Sequence, residues 1–163
     1  MKRFIKSGSM VLMAIIAFAS CKKDERKLNL ALTPVSTLSA PADNTEIQLQ
    51  PATGASIVFK WDAATAADGD MLLYEIAFDK IDGNFSKPIY KVVSDGSGVQ
   101  TQATLTQKDL NKIASLAGIQ SSSSGTVKWA VIASKAANAI VSTVSRKLTI
   151  GRPAGFAVLP AAL

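Results

Sequence analysis

Three segments of the chain alternate between apolar and polar residues, and this period of two constrains the fold more than any other feature. They are residues 56–61, 72–78 and 126–134, and in each the apolar side chains fall on one face of an extended strand. Alternation of this kind indicates a strand that buries one face and exposes the other. Trp61 and Trp129 lie on the apolar faces of the first and third segments. We therefore expect both tryptophans in the core of a sheet protein.

Weaker strand signals, separated by turn residues, fill much of the remaining chain. Clusters of Pro, Gly, Asn and Asp mark the turns, because these residues accept turn conformations. The further predicted strands are residues 33–38 with a continuation at 46–49, then 89–94, 101–105 and 141–150. About seven short strands, with a Trp on two of them, predict an all-β fold: an immunoglobulin-like or fibronectin-III-like β-sandwich of two sheets.

The connections near the end of the chain are also predictable from composition. Residues 121–125 are four serines and a glycine and indicate a flexible connection, whereas residues 136–140 indicate a turn. In the last strand Val144, Leu148 and Ile150 share one face, which we expect to be buried.

One short helix is expected before the penultimate strand. The Thr106 hydroxyl can accept the backbone N–H of Asp109, whose carboxylate can reach back, in a variant of the capping box. Gly118 stands at the position after the last helical turn, where glycine commonly ends a helix. Apolar residues recur at helical spacing at Leu110, Ile113, Ala114 and Ala117. The pattern predicts a helix of about 11 residues whose apolar stripe is its buried face rather than a partner site.

The N-terminus has the layout of a secretory signal peptide. Basic residues are followed by an apolar run at 10–19 that ends in small residues before Cys21. The run is too short to span a membrane, which needs roughly 20 apolar residues. It resembles a bacterial lipoprotein signal, which implies cleavage after residue 20 and acylation of Cys21. Two or more acyl chains anchor a protein stably, and residues 22–25 resemble the charged export tag of surface-exposed lipoproteins.

Charge and composition exclude several classes of function. The formal net charge is +6, but segment 1–20 carries three of the basic residues, and the body from Leu28 onward has 11 basic and 10 acidic residues. A near-neutral body gives no basic footprint for nucleic acid. The chain has no histidine, and Cys21 is its single cysteine. A Ser-His-Asp or Cys-His catalytic group, a disulfide and an ordinary zinc site are therefore excluded.

Five stretches carry a resemblance by their order and spacing. They are TPVSTL from residue 33 with APAD from residue 40, VFKW from 58, YEIAFD from 74, DGNFSKP from 82 and VKWAV from 127. Together they resemble the first domain of the SusE-like outer-membrane lipoproteins of polysaccharide-utilisation systems. The resemblance covers roughly residues 30–156 together with the lipoprotein signal.

The resemblance implies a domain organisation and a set of partners. We expect a signal peptide at 1–20, the lipidated cysteine and a tether at 21–32, a SusE-like sandwich at 33–151 and a linker-like tail at 152–163. A surface lipoprotein of this type is expected to work beside a TonB-dependent transporter and a glycan-binding lipoprotein. The N-terminal sandwich of the family looks like a spacer, and glycans such as starch are bound by later domains, whose contact residues have no positions in this chain.

Direct carbohydrate binding is the alternative hypothesis. A sugar site needs exposed aromatic rings and polar groups for the hydroxyls. Phe85 and Tyr90 flank Pro88 and could form a small platform with Asp82 and Asn84, although a packed loop is the simpler interpretation.

Clustered carboxylates raise two further hypotheses, both weaker. Asp68-Gly69-Asp70 and the stretch 79–84 offer the oxygen ligands that calcium uses, but neither matches an EF-hand loop, and solvated turns are the simpler interpretation. A glycosidase needs two carboxylates facing each other across a cleft, roughly 5 to 9 Å apart. The candidates are Asp62, Asp68, Asp70 and Glu75. A compact sandwich does not favour such a cleft, so we predict no catalytic residues, no metal and no cofactor.

Overall fold

A computed structural model describes residues 31–50 and 54–154. The predicted signal peptide, Cys21 and most of the tether lie outside the described residues. The strands are β1 (Leu32–Thr33), β2 (Leu38–Ala40), β3 (Thr45–Gln48), β4 (Ser56–Trp61), β5 (Thr65–Ala66), β6 (Leu73–Lys80), β7 (Tyr90–Val93), β8 (Gln102–Thr106), β9 (Ser123–Lys135), β10 (Asn138–Val141) and β11 (Arg146–Arg152). The helix α1 spans Gln107–Leu116 between β8 and β9.

The strands form two main sheets. The larger sheet has the order β3-β11-β9-β6-β7, with β10 paired to β9 beyond the end of β11. The smaller sheet has the order β2-β4-β8, and a two-stranded ribbon joins β1 to β5. The β3–β11 pair is parallel and the other pairs are antiparallel. The predicted all-β sandwich with one short helix is confirmed.

Aromatic rings from both sheets meet in the core. Phe59 of the smaller sheet contacts Phe78 and Trp129 of the larger one edge to face, with ring centroids 5.5 Å and 5.1 Å apart. Trp61 contacts Tyr74 in a tilted arrangement at 6.0 Å. The three alternating segments therefore place their predicted faces inward, and both tryptophans are buried as expected.

The helix begins as its sequence predicts. The Thr106 Oγ1 accepts the backbone N–H of Asp109 at 3.2 Å, and the Asp109 carboxylate accepts the backbone N–H of Thr106 at 2.9 Å, which completes the capping box. Gly118 has a φ of +89°, which glycine adopts without a steric penalty. Leu110, Ile113 and Ala114 are buried, so the apolar stripe packs on the sandwich.

Some predicted boundaries are wrong, because strand pairing extends or interrupts them. Residues 138–141, expected within a turn and the start of the last strand, form β10 because they pair with the end of β9. Residues 123–125, expected to be a flexible connection, pair with β11. Residues 142–145 interrupt the predicted last strand, so Val144 is 41% exposed and not buried. The strand expected at 33–38 is likewise divided between β1 and β2.

Candidate functional site at the two ends of the sandwich

The chain reaches the sandwich at one end and leaves it at the other. Leu32 of β1 borders a shallow depression with residues 137–140, next to the end of β9. Arg152, the last residue of β11, pairs instead with Ser123, the first residue of β9. Because β9 has 13 residues, the two ends are about 40 Å apart at roughly 3.3 Å per residue. We call them the N-terminal end, at Leu32 and Lys135, and the C-terminal end, at Ser123 and Arg152.

A buried cation with two carboxylate partners closes the N-terminal end. Lys135 continues the inward face of β9 and is 8% exposed. Its ammonium donates to the Asp70 carboxylate at 2.8 Å and makes a short ion pair with Asp68. The hydrogen bond from Lys135 lowers the pKa of Asp68, against the smaller opposing effect of burial. Burial acts to lower the pKa of Lys135, but the bonds to Asp68 and Asp70 outweigh it, so that pKa is raised.

A second buried cation closes the C-terminal end with neutral partners. Arg152 continues the inward face of β11 and is 5% exposed. Its Nε donates to the Asn111 side-chain oxygen of α1 at 2.8 Å, and its Nη1 makes a short bond to the Ile119 carbonyl just after the helix. Arg152 also lines an open groove with Gln48, Ser122, Ser123, Ser124, Pro153 and Ala154.

The loop after β6 is organised around one buried carboxylate. Asp79 is 5% exposed and accepts the backbone N–H groups of Lys80 and Phe85, both at 2.9 Å. Gly83 crosses directly over it: a Cβ at this position would lie 2.2 Å from the Asp79 carboxyl carbon. The carboxylate therefore fixes the loop from within, and both of its oxygens are occupied by backbone donors.

The four residues predicted as a sugar platform lie on and beside this loop. Asp82 and Asn84 are exposed, and the Asn84 side-chain oxygen accepts the backbone N–H of Ser86. Tyr90 pairs with the fully buried Phe78, so its ring belongs to the inward face, where it is half-buried.

A lysine covers one face of each predicted platform ring. The Lys112 ammonium of α1 lies 4.8 Å from the centre of the Tyr90 ring. The half-buried Phe85 ring has the ammonium of Lys128 at 5.3 Å, and Lys128 starts from the outward face of β9. The structure thus brings Tyr90 to the helix and Phe85 to β9, each with a different lysine.

The acidic clusters make internal contacts. Asp68 and Asp70 converge on Lys135, and Glu75 pairs with Lys91 at 2.7 Å. Among residues 31–50 and 54–154 no group of three or more potential metal ligands is found. Asp68, Asp70 and Glu75 are thus each paired with a lysine.

Neither buried cation is among the site residues predicted from the sequence. Arg152 falls within the predicted linker-like tail, although the alternation of Leu148 and Ile150 continues to it and places it on the inward face. Lys135 likewise follows Ala133 on the inward face of β9. The period of two is the signal that places both residues on the inward face. A basic residue at the end of a strand, however, normally indicates a solvent-exposed side chain.

Within the described part of the chain, no helix is long and apolar enough to cross a membrane. No curated protein matches the chain. A family model described as SusE outer membrane protein matches residues 23–132, which is more than half of the 163 residues. This match confirms the resemblance read from the five stretches, and the chain therefore belongs to the SusE outer membrane protein family, whose members are located at the outer membrane.

Proposed function

We propose that this protein is a non-enzymatic, surface-exposed lipoprotein that acts as a spacer and docking module in a glycan capture and uptake complex. Membership of the SusE family makes it an outer-membrane component of a polysaccharide-utilisation system. Family membership alone does not establish the spacer role, the lipid anchor or the starch-type substrate. These three features are what we propose.

The observation that carries the proposal is the placing of the two ends. The chain enters the sandwich at Leu32, at the N-terminal end, and Arg152 lies at the C-terminal end, at the far side of β9. A module of this shape adds about 40 Å between a membrane anchor and whatever it holds. The continuous buried core and the ion pair of Lys135 support a fixed distance between the two ends.

The anchor is proposed at Cys21, acylated after removal of residues 1–20. The proposed partners are a TonB-dependent transporter and a glycan-binding lipoprotein of the same system. Metabolic labelling with a clickable fatty acid should mark the wild-type protein and leave Cys21→Ala unmarked. Equal labelling of the two proteins would refute the anchor.

Energy transfer to a membrane dye tests the spacer role. Ala137 and Ala154 are exposed and lie at the N-terminal and C-terminal ends. Donor dyes on Ala137→Cys and Ala154→Cys are read against an acceptor dye in the membrane that carries the lipidated protein. We expect strong transfer from position 137 and weak transfer from position 154, because about 40 Å separates them. Equal transfer from both positions would refute the spacer.

Direct sugar binding by Phe85, Tyr90, Asp82 and Asn84 is the second candidate. The observation in its favour is that Phe85 is held at a φ of +61°, since strained backbone conformations cluster at binding sites. The lysines over both rings argue against it, because each occupies a face that a pyranose would need. Isothermal titration with starch and other neutral glycans decides the matter: saturable binding that Tyr90→Ala weakens would replace the spacer with this candidate.

A further inference from the structure

Exposed apolar side chains gather at the N-terminal end of the sandwich. Met71, Leu73, Val93 and Val99 are large apolar residues whose exposed fractions lie between 43% and 74%. Leu73 and Val93 both border Gly98, where an added Cβ would lie 3.5 Å and 3.2 Å from their side chains. Val99 follows Gly98 in the chain, and Met71 precedes Leu73 by two residues. We call these four residues the apolar patch.

The core does not account for the apolar character of this patch. The residues that this stretch buries are Leu72 and Tyr74, which alternate with Met71 and Leu73. Met71 and Leu73 therefore point to the same outward side. The other large apolar residues with exposed side chains are spread over the loop after β6, the helix and the segment before β11. Single exposed apolar residues are normal, but a contiguous group indicates an interaction surface.

The apolar patch lies at the end where the chain enters the sandwich. Leu73 pairs with Ser134, the residue before Lys135 at the end of β9. The chain from Cys21 to Leu32 spans at most about 36 Å when fully extended. An acyl anchor at Cys21 would therefore keep the N-terminal end, and the apolar patch with it, close to the membrane surface.

The charged groups beside the apolar patch are already paired. The carboxylates of Asp68 and Asp70 contact the ammonium of Lys135, and the Glu75 carboxylate contacts the ammonium of Lys91 at 2.7 Å. Placing an unpaired charge in an apolar environment costs free energy. Because these charges are balanced within the protein, they favour contact with lipid over contact with a charged partner.

We propose that the apolar patch inserts into the surface of the membrane that carries the anchor, so that the N-terminal end rests on lipid. This inference rests on the proposed acylation of Cys21. Apolar side chains of interfacial proteins are buried roughly 5 to 10 Å into the boundary between headgroups and acyl chains. Met71 and Val99 lie outside the strands, in loops that can reach this depth. The anchor then holds the protein on the membrane, and the apolar patch orients the spacer.

Fluorescence of the full-length acylated protein in vesicles of phosphatidylethanolamine and phosphatidylglycerol tests the proposal. An environment-sensitive dye is attached to Met71→Cys or Val99→Cys, since acylation of Cys21 leaves the introduced thiol as the labelling site. Ile81→Cys is the matched control, because Ile81 is 48% exposed and follows β6 at the other end of the sandwich. We expect a blue shift and quenching by spin-labelled lipid at positions 71 and 99. At position 81 the dye should emit as it does in water.

A charge placed in the apolar patch should prevent insertion. Met71→Asp adds a carboxylate, and the dye at position 99 should then lose its blue shift and its quenching by lipid. Ile81→Asp adds the same charge outside the apolar patch and should leave the dye at position 99 unchanged.

The outcomes separate the docking from the anchor. Protein that sediments with the vesicles but gives the same emission at positions 71, 99 and 81 would overturn the docking and leave the anchor intact. Protein that does not sediment with the vesicles would refute the anchor and the docking together. A blue shift that appears without vesicles and grows with protein concentration would assign the apolar patch to a second copy of the chain.

Discussion

The ring of Trp129 meets the ring of Phe59 edge to face, with centroids 5.1 Å apart and ring planes at 85°. Phe59 belongs to the smaller sheet and Trp129 to the larger one, so this contact joins the two layers of the sandwich. Both side chains are fully buried. The contact between Phe59 and Trp129 is therefore part of the core that holds the two sheets together.

Replacing Trp129 by Ala should therefore destabilise the protein strongly. The change removes the largest fully buried side chain and leaves a cavity between the sheets, which typically costs about 3 to 5 kcal/mol. Urea unfolding followed by circular dichroism measures the loss. Leu116→Ala is the control, because Leu116 is 47% exposed and its truncation should cost less than about 1 kcal/mol. An unchanged free energy of unfolding for Trp129→Ala would show that the ring is not part of the core.

The capping box of α1 should show coupling between its two residues. Thr106→Ala removes the acceptor for the Asp109 N–H and should cost about 1 kcal/mol. Asp109→Ala removes the acceptor for the Thr106 N–H, and the same carboxylate also accepts the Thr106 hydroxyl at 2.7 Å. Because each residue supports the other, the double variant should cost less than the sum of the two single changes. Strict additivity in urea unfolding would mean that the two residues act independently.

The burial of Trp129 and the capping box of Thr106 could be predicted from the sequence, whereas several other features could not. Trp129 and the Thr106 cap follow from local rules, a period of two and the chemistry of an N-terminal cap. β10 does not, since residues 138–141 become a strand through pairing with β9, and strand formation depends on such partners. The same pairing makes a strand of the serines at 123–124.

The C-terminal end was harder to predict for a different reason. Arg152 follows the alternation of β11 and so occupies an inward position, but its charge predicts a solvent-exposed side chain. Its two hydrogen-bond acceptors belong to Asn111 and Ile119. A residue whose burial depends on acceptors more than 30 positions away in the chain cannot be recognised from its neighbours.

The ion pair at the N-terminal end should make stability depend on acid. The pKa of Asp68 is held below its ordinary value of 3.8, mainly by the hydrogen bond from Lys135. A lowered carboxyl pKa contributes stability above the unfolded-state value, and this contribution is lost as the pH falls through the lower folded-state value. Asp68→Asn should therefore destabilise the protein at pH 7, and the difference from the wild type should shrink at pH values below 3.8.

Lys135 adds the opposite dependence at high pH. Its pKa is raised above 10.5, so its contribution is complete below that value and is lost as the pH rises through the folded-state pKa.

The acid dependence of Asp68 is measured by urea unfolding of the wild type and Asp68→Asn across the acid range. Asp82→Asn is the matched control, because Asp82 is an exposed carboxylate at the other end of the sandwich. A constant difference between wild type and Asp68→Asn from pH 7 to pH 3 would contradict the ion pair.

Gly83→Ala should release the loop after β6. A Cβ at Gly83 would lie 2.2 Å from the Asp79 carboxyl carbon, so Asp79 must move and lose its bonds to the N–H groups of Lys80 and Phe85. Leaving these groups and a buried carboxylate without partners should cost about 1 to 3 kcal/mol. Gly54→Ala is the matched control, since no atom lies within 4 Å of its added Cβ. Amide hydrogen exchange provides the local measurement: the N–H of Phe85 should exchange faster in Gly83→Ala and at the wild-type rate in Gly54→Ala. Equal protection of Phe85 in both variants would mean that Asp79 does not hold the loop.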